Sequence, residues 1–307
     1  MEPRIPVILD TDIGTDIDDT WALAQLLRSP ELDPRLILTG AGDIPFRTSV
    51  TAKFLQVSGR CDVPIGRGVQ AWDTLPSHRN QEPWLKGYDL AAYPGEIAED
   101  GVGRMIGIIE SSPVPVTIIA IGPAVNLAAA LARAPGIASR CRLVGMFGSF
   151  EVGYNGVRVP SAETNVRLAP DALRQVMAAP WIDTLLTPLD TCGLAVLDGE
   201  NYRRVWSATT DPMLRALIEN YCLFAPRVTW MHCDFFAVRS TVLFDCVAVY
   251  LAYAEDLVEA ERVRFDITGD GFTRREERGP FSARVALRWR DPAAFHDHLA
   301  SRLLGDA

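Results

Sequence analysis

Apolar and polar positions fall into blocks along this chain. Residues 7–9 (Val-Ile-Leu) form a short apolar run that reads as a buried strand. It leads directly into five aspartates within ten positions: Asp10, Asp12, Asp16, Asp18 and Asp19. Because side chains alternate along a strand, Asp10 and Asp12 are expected to leave its end on the same side. Gly14 allows a tight turn. Asp18 and Asp19 then precede an apolar-periodic run (Trp21, Ala22, Leu23, Leu26, Leu27) that reads as a helix start.

The alternation continues. Residues 35–43 read as a second strand ending in Asp43, residues 46–57 as a helix and 63–65 as a short strand. Residues 114–121 are the most strand-like run and turn into an alanine-rich helix; residues 142–148 and 185–190 read as further strands. This pattern predicts an α/β fold, a mostly parallel open sheet with flanking helices, whose ligands gather beyond the carboxyl ends of the strands. Asp10, Asp12 and Asp43 all fall at such ends. Residues 71–95 have no period and are rich in Pro, Trp, Asn and charge, so they read as a long loop of the kind that covers an active site. Its Trp72, His78, Trp84 and Tyr88 either pin the loop to the body or stack on a ligand. A hairpin around Gly269-Asp270-Gly271 and a final helix, together 262–304, close a chain expected to be one domain over 1–307. His296 and His298 on that helix are expected at the surface.

Composition narrows the partners. A chain of 307 residues with 48% hydrophobic and 22% charged content can bury a sizeable core, and its formal charge of −9 argues against nucleic acid or an anionic membrane as a partner. Six cysteines without a C-x-x-C pair read as mostly buried free thiols in a reducing compartment. The start of the chain lacks the pattern of a signal peptide, and no apolar run reaches the roughly 18 residues of a membrane span, so a cytoplasmic location is expected.

The aspartate stretch carries the chemistry. Two carboxylates about 4 Å apart repel by roughly 1 kcal/mol in water and about 4 kcal/mol at an effective dielectric near 20. Such crowding calls for a cation or for protonated carboxyls. With no His or Cys in the stretch, the available ligands are hard oxygens, which suit Ca²⁺ or Mg²⁺ rather than zinc. Helix capping accounts for Asp18 or Asp19 but not for Asp10 and Asp12. An EF-hand loop fails, because counting from Asp10 puts Gly14 fifth and Trp21 twelfth, where that loop needs Gly sixth and Glu twelfth.

The stretch resembles the N-terminal signature of the inosine-uridine-preferring nucleoside hydrolases, D-x-D-x-G-x-D-D followed by a helix, with two extra residues before the final pair. Downstream, Gly122-Pro123-Ala124-Val125-Asn126-Leu127-Ala128, Ala162-Glu163-Thr164-Asn165, Pro188-Leu189-Asp190 and Phe244-Asp245-Cys246-Val247-Ala248-Val249 are similar to segments of the same family. The resemblance implies hydrolysis of the N-glycosidic bond of a ribonucleoside or a close analogue, in purine or pyrimidine salvage. It implies a Ca²⁺ held by Asp12, Asp19, Asp245 and the backbone carbonyl of Ile121, with Asp12 as base on a calcium-bound water. Asp18 would hold a ribose hydroxyl, Asp10 would orient the ligands, Glu163 and Asn165 would take ribose hydroxyls and Asn155 the 5′-hydroxyl. The two extra residues leave open whether Asp16 or Asp18 takes the inner role. Asp43 stands where the family has Asn, and Trp84 and His78 are the candidates to meet the base.

One position departs from the pattern. Phe244 replaces a family His thought to protonate the leaving base, and an apolar ring cannot donate a proton. His232 is the leading replacement and His78 the second. The expected partner is a small-molecule nucleoside, and a homo-oligomer is the expected assembly. Two alternatives remain at this level. One is a nucleoside- or ribose-binding protein without hydrolytic activity, motivated by Phe244. The other is a haloacid-dehalogenase-type phosphatase, which uses the first Asp of D-x-D as nucleophile but gives no reason for Asp18, Asp19, Ile121 or Asp245.

Overall fold

In the computed structural model, which describes residues 3–73 and 78–306, the first apolar run becomes β1 (Ile5–Thr11), buried from Pro6 onward. The helix after the aspartates is α1 (Asp18–Arg28), followed by β2 (Leu32–Thr39), α2 (Ile44–Val57), β3 (Ile65–Arg67) and β4 (Ile97–Ala98). The alternation continues through α3 (Gly101–Ser111), β5 (Val116–Ala120), α4 (Val125–Arg133), β6 (Cys141–Gly145), the short α5 (Thr164–Leu168), α6 (Pro170–Ala178) and β7 (Asp183–Leu186). Helices α7 (Gly199–Ser207), α8 (Pro212–Phe224) and α9 (Phe244–Leu251) come next, before β8 (Val258–Ile267), β9 (Thr273–Arg275), β10 (Phe281–Trp289) and α10 (Pro292–Leu304).

The strands of the described residues form one sheet in the order β4-β3-β2-β1-β5-β6-β7-β10-β8-β9. Pairing is parallel from β4 across to β10, and β8 runs antiparallel to both β10 and β9, so the sheet is mostly parallel. The hairpin expected near Gly271 is the β8–β9 turn, and β10 inserts between β7 and β8. Val7 and Leu9 face a core with Trp21, Phe54, Tyr221 and Phe295, while Ile8 faces a second core with Leu38, Ile118 and Phe265. Burial on both faces explains why β1 is apolar without interruption from Ile5 to Leu9.

Chain order fixes where a site can lie. The chain builds outward from β1 through β4, then crosses back to place β5 on the other flank of β1. A crevice opens at the carboxyl ends where the order reverses. Strand β2 stops at Thr39, short of the expected boundary, and Asp43 serves as N-cap of α2, its carboxylate accepting the Phe46 N–H at 3.0 Å. His296 and His298 are half-buried, not at the surface: α10 packs against the body, and His298 Nε2 lies 2.7 Å from the Tyr253 hydroxyl.

Residues 74–77 of the expected lid lie outside the described residues. Beyond them, the loop is tied down by buried amides. Gln81 Nε2 donates to the Thr20 hydroxyl on α1 and to Asn220 Oδ1 on α8, both at 2.9 Å, and Asn80 Nδ2 donates to the Thr15 carbonyl at 3.1 Å. Trp84 is buried with its ring 6.4 Å from that of Phe54 and 4.5 Å from the Lys53 ammonium. Its indole N–H points at Glu219, at 3.4 Å. Trp84 thus takes the pinning role.

Gln81→Ala strands the Asn220 carbonyl oxygen in the interior and should cost about 2 kcal/mol in urea unfolding. A variant as stable as the parent would show that this anchor contributes nothing.

Candidate active site

The turn after β1 depends on Gly14. Its φ of +110° suits glycine, and a Cβ there would sit 2.7 Å from the Phe46 ring. The chain then enters α1 with Ile17 as N-cap and no side-chain cap, so Asp18 and Asp19 occupy the first turn as buried residues and not as caps. The Thr11 hydroxyl donates to Asp19. Helix α9 begins the same way: Leu243 caps without a side-chain bond, and Asp245 lies buried in the first turn, sharing a hydrogen bond with Asp18. One carboxylate oxygen from each of Asp18, Asp19 and Asp245 lies within 4.8 Å of the others. Two helix N-termini therefore converge on three acids, and their dipoles favour negative charge there.

Dipoles do not offset the crowding. Burial, then repulsion by neighbouring aspartates, holds Asp18, Asp19 and Asp245 well above the usual carboxylate range. Burial moves Asp10 up to about 7 and Asp16 to about 6. Asp12 is also raised by burial, against the pull of Arg47. Its side chain keeps 19% of its exposure, and Arg47 Nη2 lies 3.7 Å away. Gly122 approaches so closely that a Cβ there would meet Asp12 Oδ1 at 3.0 Å.

Asp10 and Asp12 are close enough for the charge of Asp12 to raise Asp10, yet the two carboxylates have different partners. Asp10 is 2% exposed and accepts a 2.7 Å hydrogen bond from Asn126 Nδ2; its other oxygen has no partner among the described residues. Asp12 faces Arg47. Asp16 accepts its bond from the Ile17 N–H at 2.6 Å, and it is Asp18 that joins the buried triad.

At the end of β5, the Ile121 N–H donates to the Asp10 carbonyl at 2.8 Å, and the Ile121 carbonyl accepts from Asn165 Nδ2 at 2.9 Å. Glu163 caps α5, accepting N–H groups from Asn165 at 2.6 Å, Gly148 at 3.1 Å and Val166 at 3.2 Å. Burial still pushes its carboxyl up to about 7, and the charge of Asp12 adds to the rise. Ile121, Glu163 and Asn165 thus form one bonded group beside the aspartates.

The remaining candidates sit apart. Asp43 is ion-paired to Arg79. His78 meets Trp230 edge-on with centroids 5.2 Å apart. The His232 ring is 86% exposed, 3.2 Å from Asp234. Asn155 is exposed, with φ at 59°. Phe244 packs edge-on to Tyr154 at 6.1 Å, and the Tyr154 hydroxyl is bonded to Thr164. Three residues of the site escape a sequence reading: Thr11, Asn126 and Arg47. Asn126 lies within a matched segment, whereas Arg47 looks like any charge on a helix.

The donor set fits a hard divalent cation. It consists of buried carboxylates and a carbonyl, with Arg47 as the cation beside Asp12 and Asp19. The phosphatase alternative does not fit, because its nucleophile would be Asp10, which is enclosed and bonded to Asn126.

Comparisons with known proteins identify the family. Residues 7–297 match the family described as inosine-uridine preferring nucleoside hydrolase. The non-specific ribonucleoside hydrolase RihC of Salmonella agona is 31% identical over 229 residues, 72% of this chain and 73% of its own length. Among solved structures, a plant nucleoside hydrolase superposes with a TM-score of 0.81 at 21% identity, covering 98% of this chain and 99% of its own. A purine-preferring ribonucleoside hydrolase from Gardnerella vaginalis does so with a TM-score of 0.76 at 21% identity, covering 98% of each chain. The ten-stranded fold is that of these structures.

The raised carboxyls bind protons more tightly in the folded than in the unfolded chain. Their contribution is therefore present below the unfolded value near 4 and lost as pH rises through the folded values. For Asp10, moved from 3.8 to about 7, ionisation costs the fold on the order of 4 kcal/mol. Melting temperature in chelator should fall between pH 5 and pH 8 relative to melting in millimolar Ca²⁺, with the gap widening at higher pH. A gap that is absent, or equal at both ends of the range, would count against cation compensation of this cluster.

Proposed function

Because the chain belongs to the inosine-uridine preferring nucleoside hydrolase family, we propose that it hydrolyses the N-glycosidic bond of a ribonucleoside or close analogue at a Ca²⁺-dependent site centred on Asp12. It is an enzyme of the glycosidase class. The observation that carries the finer reading is the buried triad of Asp18, Asp19 and Asp245, brought within 4.8 Å beside Asp12 at the crevice between β1 and β5.

Asp12, Asp19, Asp245 and the Ile121 carbonyl would hold the ion, which supplies positive charge to the cluster and acidity to the attacking water. Asp12, the partly open carboxylate of the group, takes the water's proton as general base. Asp18, hydrogen-bonded to Asp245, holds a ribose hydroxyl, and Glu163 and Asn165, beside the aspartates, take further ribose hydroxyls. Asn155 reaches the 5′-hydroxyl. The carboxylates also stabilise the positive charge that develops on the sugar as the bond to the base lengthens.

Phe244 supplies no proton to the leaving base, so the acid comes from a loop. We assign it to His232, since the neighbouring Cys233 is close enough to Asp16 to feel its charge. His78 stands next to the same stretch through Trp230. The reading extends to a cytoplasmic homo-oligomer acting in base salvage.

The test is release of free ribose from a panel of purine and pyrimidine nucleosides, with Ca²⁺ or with chelator. Asp12→Ala should lower kcat by about 10³-fold, and chelation should abolish turnover. His232→Ala should slow purines more than pyrimidines. No release by the parent from any nucleoside, with Ca²⁺ present, would sink the reading.

A further inference from the structure

Arg47 is a buried cation, its side chain only 3% exposed, in the first turns of α2. Each nitrogen of its guanidinium has an acceptor. Nε donates to the Ala41 carbonyl at 2.5 Å, Nη1 to the Ile13 carbonyl at 2.9 Å and Nη2 to the Thr15 hydroxyl at 3.2 Å. The same Nη2 faces Asp12 Oδ2 at 3.7 Å. The fork therefore joins the aspartate turn after β1 to the turn after β2, and it touches the carboxylate that matters most.

Both turns need such a tie. The turn from Asp12 to Ile17 carries two residues beyond the D-x-D-x-G-x-D-D spacing, and Arg47 binds it at Ile13 and Thr15. The turn after β2 contains Ala41 at φ 54°, a left-handed conformation that a Cβ disfavours, and its carbonyl is the acceptor of Arg47 Nε. A planar fork can serve three acceptors at fixed angles, which the point charge of a lysine cannot. Burial disfavours the guanidinium's charge, and the charges of Asp12 and then Asp19 hold it in place.

We propose that Arg47 is a positioning residue for Asp12 and also a built-in counter-charge that loosens the grip of the acidic cluster on a divalent cation. This rests on the metal-dependent reading above. The two roles pull in opposite directions when Arg47 is removed. Losing the fork releases Asp12 and slows turnover. Losing the charge removes a repulsion on the incoming cation and tightens its binding. A residue that merely held the fold together would weaken both at once.

The experiment is calorimetric titration of the chelator-stripped protein with Ca²⁺, alongside kcat and KM on the best nucleoside of the panel, for the parent, Arg47→Met and Arg47→Lys. Arg47→Met should bind Ca²⁺ about ten-fold more tightly, since a unit charge this close acts strongly at a partly buried site. Its kcat should fall about 100-fold with KM changed by less than about 3-fold, as expected when a general base is misplaced. Arg47→Lys keeps the charge and loses the fork, so kcat still drops while its Ca²⁺ affinity does not rise above that of the parent, Asp12 being itself one of the proposed ligands. Circular dichroism checks the fold of each variant, and if Arg47→Met does not fold, Arg47→Gln, which also removes the charge, takes its place with the same expected Ca²⁺ and kcat pattern. Parallel weakening of Ca²⁺ binding and turnover in Arg47→Met would overturn the proposal, as would a fully active Arg47→Lys. A parent protein that takes up no Ca²⁺ would remove the metal reading and this inference with it, whereas Ca²⁺ uptake by the parent with the wrong variant pattern removes the inference alone.

Discussion

The structure depends on keeping several carboxylates in one crevice with little water to separate them. Asp10, Asp12, Asp16, Asp18, Asp19 and Asp245 all have their acidity weakened by burial, and neighbouring aspartates add to the effect at most of them. At an effective dielectric near 20, each close pair costs about 4 kcal/mol when both are ionised. That is a large fraction of the net stability of a domain, typically about 5–15 kcal/mol. A fold that concentrates charge in this way is suited to a ligand that carries the opposite charge, and the surrounding elements follow from that constraint.

Each compensating contact comes from a different part of the chain. Two helices, α1 and α9, point their N-termini at the triad. The Thr11 hydroxyl serves Asp19, Asn126 serves Asp10, and Arg47 serves Asp12. Asn126 bonds in two directions, its Oδ1 accepting the Val69 N–H at 2.7 Å while its Nδ2 holds Asp10. A Cβ on either Gly40 or Gly68 would come within 2.3 Å of this side chain, so small residues on the neighbouring turns make room for it. The sheet reversal between β1 and β5 brings these elements together, since it leaves strand ends without a covering connection.

This logic explains what could be read from the chain and what could not. Strand β1 was legible because a strand covered on both faces is a continuous apolar run, and the fold class followed from the regular return of such runs. Asp18, Asp19 and Asp245 were legible because carboxylates ahead of apolar helices are unusual in number here, and the downstream segment around Asp245 matched a known pattern. Thr11, Asn126 and Arg47 were not, because their role lies in contacts across sequence separations of 8, 116 and 35 residues, as shown by Thr11–Asp19, Asp10–Asn126 and Asp12–Arg47. Their local sequence says only strand end or helix. The same holds for Trp84, whose pocket between α2 and α8 is a tertiary feature, and for His298, which is half-buried once α10 packs against the body.

The residues proposed for the sugar and for the base belong to different kinds of structure. The carboxylates, the Ile121 carbonyl, Glu163 and Asn165 all sit at strand ends or in first helical turns, where backbone bonds fix them within the sheet framework. The two histidine candidates lie elsewhere, His78 in the loop after β3 and His232 between α8 and α9, in stretches that meet through the His78–Trp230 contact. Phe244 marks the boundary between the two. It belongs to the rigid part, one residue ahead of Asp245, yet presents an apolar ring toward Tyr154. A protonating group at that position would be held as firmly as the triad. With a phenyl ring there, the proposed reading takes the proton donor from the loops, and loops can change sequence and length without disturbing the sheet. On the proposed reading, bond cleavage at the sugar would be a property of the fold, while the choice of base would be a property of two segments outside it.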